Sequence, residues 1–591
     1  MKRLFVYLKD YKKETVLAPL FKLLEAFFEL MVPLVMANII DIGILNRDMK
    51  YIGKMGACLL ILAIVGLVAA ISAQFFAAKA AVGFSTKLRQ ALFEHIQGLS
   101  FTNLDKAGTS TLITRMRADV NQCQNGVNMV LRLFLRSPII VFGAMIMAFT
   151  IDVKSALIFV VAIPLLAIVV FGIMMITMPL YKKVQKLLDS VLGITRENLT
   201  GVRVIRAFHQ EAKEEERFHR QNDLLADAQV HVAKISAVMN PVTYIIVNGA
   251  IAALIYTGAV QVQVGNLTQG EVVAIINYMS QILVELVKLA NLIVTITKAL
   301  ACADRVAGVF AIENEPVVVT EGGCADGVNS VRGASDTPYP YIEFDRVSLK
   351  YQGAGEETLK DMSFKVQKGQ TVGVIGGTGS GKSSLINLIP GFYPATSGAV
   401  RIEGCDIKTM SEEQLRIRIG MVPQKAVLFK GTIRSNLMWG NPHATEEEMW
   451  EAIDMAQARE VVEGKKGKLD AEVSQSGKNF SGGQKQRLTI ARALVRKPEI
   501  LILDDSASAL DYATDAKLRQ AIRNVEKATT TFIVSQRASS IRHADLILVL
   551  DDGEIVGQGT HEELLESCEV YQEIYYSQYP EENTKGDVVN G

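Results

Sequence analysis

The chain has 591 residues, 49% of them hydrophobic, and a mean hydropathy of +0.23, which is too long for one domain and too apolar for an ordinary soluble enzyme. Lys+Arg and Asp+Glu both number 62, so no net field draws nucleic acid and that class of partner is excluded. The six cysteines are scattered, without a CxxC or a histidine at ligand spacing, so a zinc site is excluded and six free thiols are expected.

The N-terminal MKRLFVYLKDYKKE is basic and amphipathic, and the apolar stretch after it carries Glu25 and Glu29 and lacks a small-residue cleavage site. It is expected to be retained as a helix on the membrane surface, its lysines toward anionic headgroups and Leu4, Phe5 and Leu8 toward acyl chains. Six stretches, at 16–44, 53–78, 135–152, 155–178, 236–262 and 271–298, reach the about 20 apolar residues that a bilayer crossing needs. The long segments 79–134 and 179–235 are charged, helix-patterned and rich in Lys and Arg. The positive-inside rule places them and both termini of this multi-pass chain in the cytoplasm. They read as membrane helices continuing beyond the bilayer as stalks. Each stalk pair must turn back, at Phe101 to Gly108 and at Gly201 to Phe208, and these turns are the candidate surfaces for docking on a soluble domain.

In the last span Asn277, Gln281, Glu285 and Lys288 recur at steps of four, four and three, on one helix face. Polar groups at membrane depth face a wet cavity or a protein partner. The stripe is either a cargo pathway for polar or cationic molecules, or a helix-to-helix glue in which Glu285 and Lys288 neutralise each other. Asp41, near the outer end of the first span, binds a cation, holds an outer gate or is a simple interfacial aspartate.

Residues 313–340 are rich in Gly, Pro, Ser and Asp, as a linker should be. From Tyr341 short β-runs alternate with helices (YIEFDRVSLKY, TVGVI, EILILDD, TFIVSQ, LILVLDDGEIVGQG), the pattern of an α/β nucleotide-binding domain. The expected organisation is a six-helix membrane domain over 1–312, a linker over 313–340, an α/β domain over 341–575 and a tail over 576–591.

The segment GGTGSGKS, Gly376 to Ser383, follows the strand TVGVI and opens a helix, which is the setting of a phosphate-binding loop. Gly376, Thr378, Gly379, Ser380 and Gly381 let backbone amides close on phosphate oxygens. Lys382 reaches the terminal phosphates, Ser383 offers a hydroxyl to Mg²⁺, and Ser384 completes the loop. The strand ILILDD, continuously apolar as a strand buried on both faces should be, ends in Asp504, suited to the metal shell. Asp505 follows, where a base orients an attacking water or a carboxylate caps a helix.

With FSGGQKQR, Phe480 to Arg487, the chain resembles the ATP-binding cassette transporters, specifically the exporters in which six spans are fused to one cassette. The resemblance covers nearly all of it. It implies that Tyr351 stacks on adenine, that Gln424 links Mg²⁺ to the membrane domain, and that Ser481, Gly482, Gly483 and Gln484 form the signature. Asp511 is implied to communicate between two ATP sites, each shared head to tail by two cassettes. ATP and Mg²⁺ are the implied cofactors.

Two positions depart from the family pattern. Its catalytic glutamate is here Asp505, and its switch histidine is here Gln536. The shorter carboxylate is withdrawn by roughly 1 Å, a displacement that costs on the order of a hundredfold. Glutamine donates a hydrogen bond but carries no proton or charge to the transferring phosphate. The chain thus resembles the degenerate-site subunit of bacterial heterodimeric multidrug exporters. The expected function is to bind ATP, to lend an intact signature to a partner chain's hydrolytic site, and to export amphipathic small molecules or drugs. The alternatives are a homodimeric, slow ATP-gated transporter or regulator, and a peptide or lipid transporter on the same scaffold.

Overall fold

The computed structural model describes residues 4–313, 340–506, 510–524 and 529–580. The linker expectation falls almost wholly outside them, as does the tail beyond residue 580. The chain divides into two compact units, one of Met1–Gly98 with Gly108–Ile312, the other of Leu99–Ala107 with Glu313–Gly591.

Among its described residues the first unit contains six helical stretches long and apolar enough to cross a membrane: Leu4–Ile44, Met49–Gln97, Thr109–Ile151, Val153–Thr200, Glu211–Val264 and Gln269–Phe310. They run 41 to 54 residues, and at about 1.5 Å per residue each is roughly two to three times the thickness of a bilayer core. Side-chain caps mark the starts of three of them. Asp48 accepts from the N–H of Lys50 and Tyr51, Asp152 accepts from that of Ser155, and Thr268 forms a capping box with Glu271. The helices pack through small residues: Ala18 of the first span and Ala77 and Ala80 of the second share a buried cluster with Leu131. Leu60, Ile64, Leu67 and Ile71 of the second span are exposed, as side chains meant for lipid should be. Leu4 is buried within this unit, which corrects its expected place among acyl chains, while Phe5 is exposed.

The second unit is an α/β domain. Its strands are β1 (Ile342–Leu349), β2 (Leu359–Val366), β3 (Thr371–Gly376), β4 (Ser397–Ile402), β5 (Cys405–Asp406), β6 (Ile419–Val422), β7 (Gly431–Thr432), β8 (Glu472–Val473), β9 (Ile500–Asp504), β10 (Thr530–Val534), β11 (Leu546–Asp551) and β12 (Glu554–Gly559). An antiparallel sheet runs β2-β1-β4-β5, and a six-stranded sheet runs β12-β11-β3-β10-β9-β6, with β7 and β8 a separate ribbon. From β11 to β6 the larger sheet is parallel, and its strands are mostly apolar because side chains on both faces enter a buried core. Leu501 and Leu503 of β9 enter one core, Ile500 and Ile502 the other.

The turn helix Phe101–Ala107 belongs to this unit. Phe101 lies 4.4 Å, ring to ring, from Phe392, Arg416 sits over both rings, and the Tyr393 hydroxyl donates to Asp105 at 2.6 Å. The other turn is also helical, Val202–Ala207, with Val204 and Phe208 exposed. Cys58, Cys123, Cys302 and Cys568 are free thiols, whereas Cys405 is disulfide-bonded, correcting the expectation for that residue. Spacing along the chain excludes clustered ligands but says nothing of pairing in space.

Candidate ATP site

Strands β3, β10 and β9 are adjacent and parallel, and Val534 of β10 pairs on one side with Val374 and on the other with Asp504. Their C-terminal ends therefore lie in one row. β3 leads into the glycine loop, β9 into Asp504 and Asp505, and β10 into Gln536. The neighbouring β6, whose Val422 pairs with Leu503, ends just before Gln424, which is exposed. Ligands of open α/β sheets bind at this edge.

The loop after β3 turns through Gly379 and Gly381 at φ of +89° and +95°, a region that favours glycine. Lys382 opens the helix Lys382–Leu388 and folds back, donating to the carbonyls of Gly376 at 2.9 Å and Gly377 at 2.5 Å. Ser380 is buried beneath the loop. The Ser383 hydroxyl donates to Asp504 at 3.2 Å, and the Tyr351 hydroxyl donates to Ser384 at 3.0 Å. Tyr351 also stands edge-on to Tyr393, with ring centroids 5.0 Å apart.

Burial raises the Asp504 carboxyl above the usual aspartate range, and the neighbouring Asp505 charge adds to this against the Ser383 hydrogen bond and the Lys382 charge. Lys382 is lowered, chiefly by burial, with Asp505 and Asp504 opposing. Asp505 is half-buried, at φ +44°, and its N–H donates to the Val534 carbonyl. Gln536 has an exposed side chain.

Ser481 caps the helix Gly482–Leu494 and shares a capping box with Gln484, leaving Gly482 exposed and Gly483 half-buried at the helix start. Asp511 caps the helix Tyr512–Asn524, accepting from the Thr514 N–H at 2.8 Å and hydroxyl at 2.9 Å; these bonds hold its carboxyl below the usual range.

Family models described as "ABC transporter transmembrane region" and "ABC transporter" match residues 15–286 and 359–508. An uncharacterized ABC transporter ATP-binding protein of Bacillus subtilis (strain 168) is 36% identical over 585 residues, 99% of this chain and 100% of that one. The chain belongs to the ATP-binding cassette exporters. A second protein of the same organism, named "Putative multidrug export ATP-binding/permease protein", is 33% identical, covering 97% of this chain and 98% of its own. The structure of a bacterial Atm1-family ABC exporter with ATP bound is similar at a TM-score of 0.77 and 25% identity, covering 96% of this chain and 98% of that one. This half-transporter is thus a multi-pass membrane protein whose cassette is an ATPase coupled to transport.

In the exporter's membrane unit the polar stripe lines a cavity of about 490 Å³, with Asn277, Gln281 and Lys288 on one wall and Glu29 and Met36 on the other. Glu285, 2% exposed, is taken up by neighbours: it accepts from Arg136 at 2.6 Å, Ser137 at 2.8 Å and Lys288 at 2.8 Å. Arg136 also donates to Glu29 at 2.6 Å. All four stripe residues thus line the cavity, and Glu285, with Lys288 as one of its donors, also clips helices together. Nothing in the sequence ties Arg136 to a residue 149 positions away. Asp41 accepts from the Thr268 hydroxyl at 2.6 Å and the Gly270 N–H at 2.7 Å, joining the first span to the start of the last.

Proposed function

We propose that this half-transporter binds Mg²⁺ and ATP at a site that hydrolyses slowly, and that it pairs with a different half whose hydrolytic site its signature completes. One observation carries the reading. At the shared edge of β3, β10 and β9 the binding groups Lys382, Ser383 and Asp504 stand assembled beside Asp505 and Gln536, whose side chains are short or uncharged where catalysis needs reach and charge. The hard oxygens of Ser383 and Asp504, 3.2 Å apart, suit Mg²⁺, with Gln424 at the same edge as a further oxygen donor. Tyr351 is the adenine platform, Gly376, Thr378, Gly379, Ser380, Gly381 and Ser384 frame the phosphates, Ser481 to Gln484 serve the partner's ATP, and Asp511 reports between the sites. The cargo is an amphipathic small molecule. The cavity between Glu29 and the Asn277 to Lys288 face supports this, because its wall mixes Met36 with charged and amide groups.

The test is the double substitution Asp505→Glu with Gln536→His, assayed in a pair whose partner has its catalytic glutamate replaced by glutamine. Turnover should rise at least about tenfold over the parent, with either single change giving less, because oriented water and charge stabilisation act as a unit. A double mutant that binds ATP and stays as slow as the parent refutes the two-residue account.

A further inference from the structure

The segment that leaves β10, Ser535 to Arg537, carries Gln536 out to solvent. Its backbone is held on the sheet side: the Ser535 N–H continues the β3 ladder to Val374, and the Arg537 N–H donates to the Ser535 hydroxyl. Beyond it lies the helix Ala538–Ile541, one turn long, whose first N–H groups have no helical acceptor. Ala538 is fully buried, so its N–H needs a protein partner.

That partner comes from the far end of the domain. Gln578, the last residue of the helix Glu569–Gln578, accepts from the Ala538 N–H at 2.9 Å and donates to the Gln536 carbonyl at 2.8 Å. A primary amide offers one acceptor and a donor in one plane, so a single side chain brackets the backbone on both sides of Arg537. The helix that carries it is anchored deeply. Tyr571 and Tyr575 are 0% and 1% exposed and share a buried cluster with Ile375, Ile541 and Val549. The Tyr571 hydroxyl lies 2.8 Å from His561 Nδ1. Ile375 immediately precedes the glycine loop on β3. One rigid helix thus rests against the strand that holds the phosphates and grips the loop that presents the residue at 536.

We propose that Gln578 is a positioning residue of the ATP site: through its amide, the C-terminal helix sets where the side chain at 536 meets the terminal phosphate. This rests on the reading of Gln536 as the switch position. Gln578 is itself exposed, so its removal leaves the Tyr571 and Tyr575 packing in place and acts on the loop, not on the fold. A displacement near 1 Å at such a group costs on the order of a hundredfold, and releasing the two Gln578 bonds while the Ser535 bond to β3 remains costs a smaller part of that.

The experiment uses the full-length chain, paired with the partner half whose catalytic glutamate is replaced by glutamine, in lipid nanodiscs with three measurements. Amide exchange of residues 535–541 in Gln578→Ala should quicken about tenfold, and Mg·ATP should protect the segment less than in the parent. The melting temperature should stay within about 2 °C, since an exposed side chain is removed. In the Asp505→Glu, Gln536→His background, Gln578→Ala should lower kcat about tenfold and leave KM for ATP within about twofold. Gln578→Glu, which keeps the acceptor for Ala538 and loses the donor to Gln536, should fall between. Unchanged exchange, or kcat and KM moving together, overturns the proposal. A background in which the double substitution adds no turnover counts against the roles of Asp505 and Gln536; the exchange and its response to Mg·ATP then decide the role of Gln578 alone.

Discussion

Asp505 sits at φ +44°, in the left-handed region where a short polar side chain is tolerated better than a long one. Its identity is thus comfortable for the backbone and poor for reach. Asp505→Glu alone should lower the melting temperature slightly while raising hydrolysis less than the paired change does. One position earlier the balance is reversed. Burial, with Asp505 beside it, holds the Asp504 carboxyl above the usual range, so the ionised group costs the nucleotide-free fold stability. Because the folded value lies above the unfolded one, that cost is fully present above the folded value and disappears as pH falls below the ordinary carboxylate range. Asp504→Asn should therefore raise the melting temperature of the nucleotide-free protein at neutral pH, with an advantage that shrinks on acidification. The same change should erase most of the gain in melting temperature that Mg·ATP gives the parent. Thermal scans across pH, with and without Mg·ATP, check both; a variant that still gains fully from Mg·ATP contradicts the metal role of Asp504.

At the scale of elements, the strand ends were legible because β3 and β9 are continuous apolar runs closed by chemistry-bearing residues, and a parallel sheet puts such ends on one edge. What the sequence hid is contact across distance: Gln578 on the backbone around Gln536, Tyr393 on Asp105, and Arg136 among three spans. Arg136 is 7% exposed, with Glu285 of the last span and Glu29 of the first as its partners. A buried pair broken on one side leaves an uncompensated charge and costs about 3–5 kcal/mol, whereas removing both sides is far milder. Arg136→Met should therefore sharply reduce yield of folded protein and its melting temperature, and adding Glu285→Leu should restore much of both. Size-exclusion profiles and melting curves in detergent decide this; a double variant no better than Arg136→Met means that the cluster does more than neutralise Glu285.

For the whole molecule, the six spans followed by an α/β cassette could be read from hydropathy and motif order, but the pairing of two halves is a property of a complex and no single chain spells it out. The asymmetry proposed for that complex predicts different consequences for two binding elements of this one chain. Lys382 grips the glycine loop of the chain's own site, so Lys382→Ala should weaken ATP there and slow transport while the partner's chemistry continues at a reduced rate. Ser481 caps the helix Gly482–Leu494, whose exposed start would serve the partner's ATP. Ser481→Arg removes that cap, adds a bulky cation where N–H groups already carry partial positive charge, and should stop hydrolysis at the competent site. ATPase of the purified pair should thus fall less than about tenfold for the lysine variant and far more for the serine variant, a split that tracks where each residue acts relative to the reacting phosphate. Equal and complete loss from both would mean that the two sites share the chemistry evenly, and robust turnover by this chain without a second half would remove the need for a partner altogether.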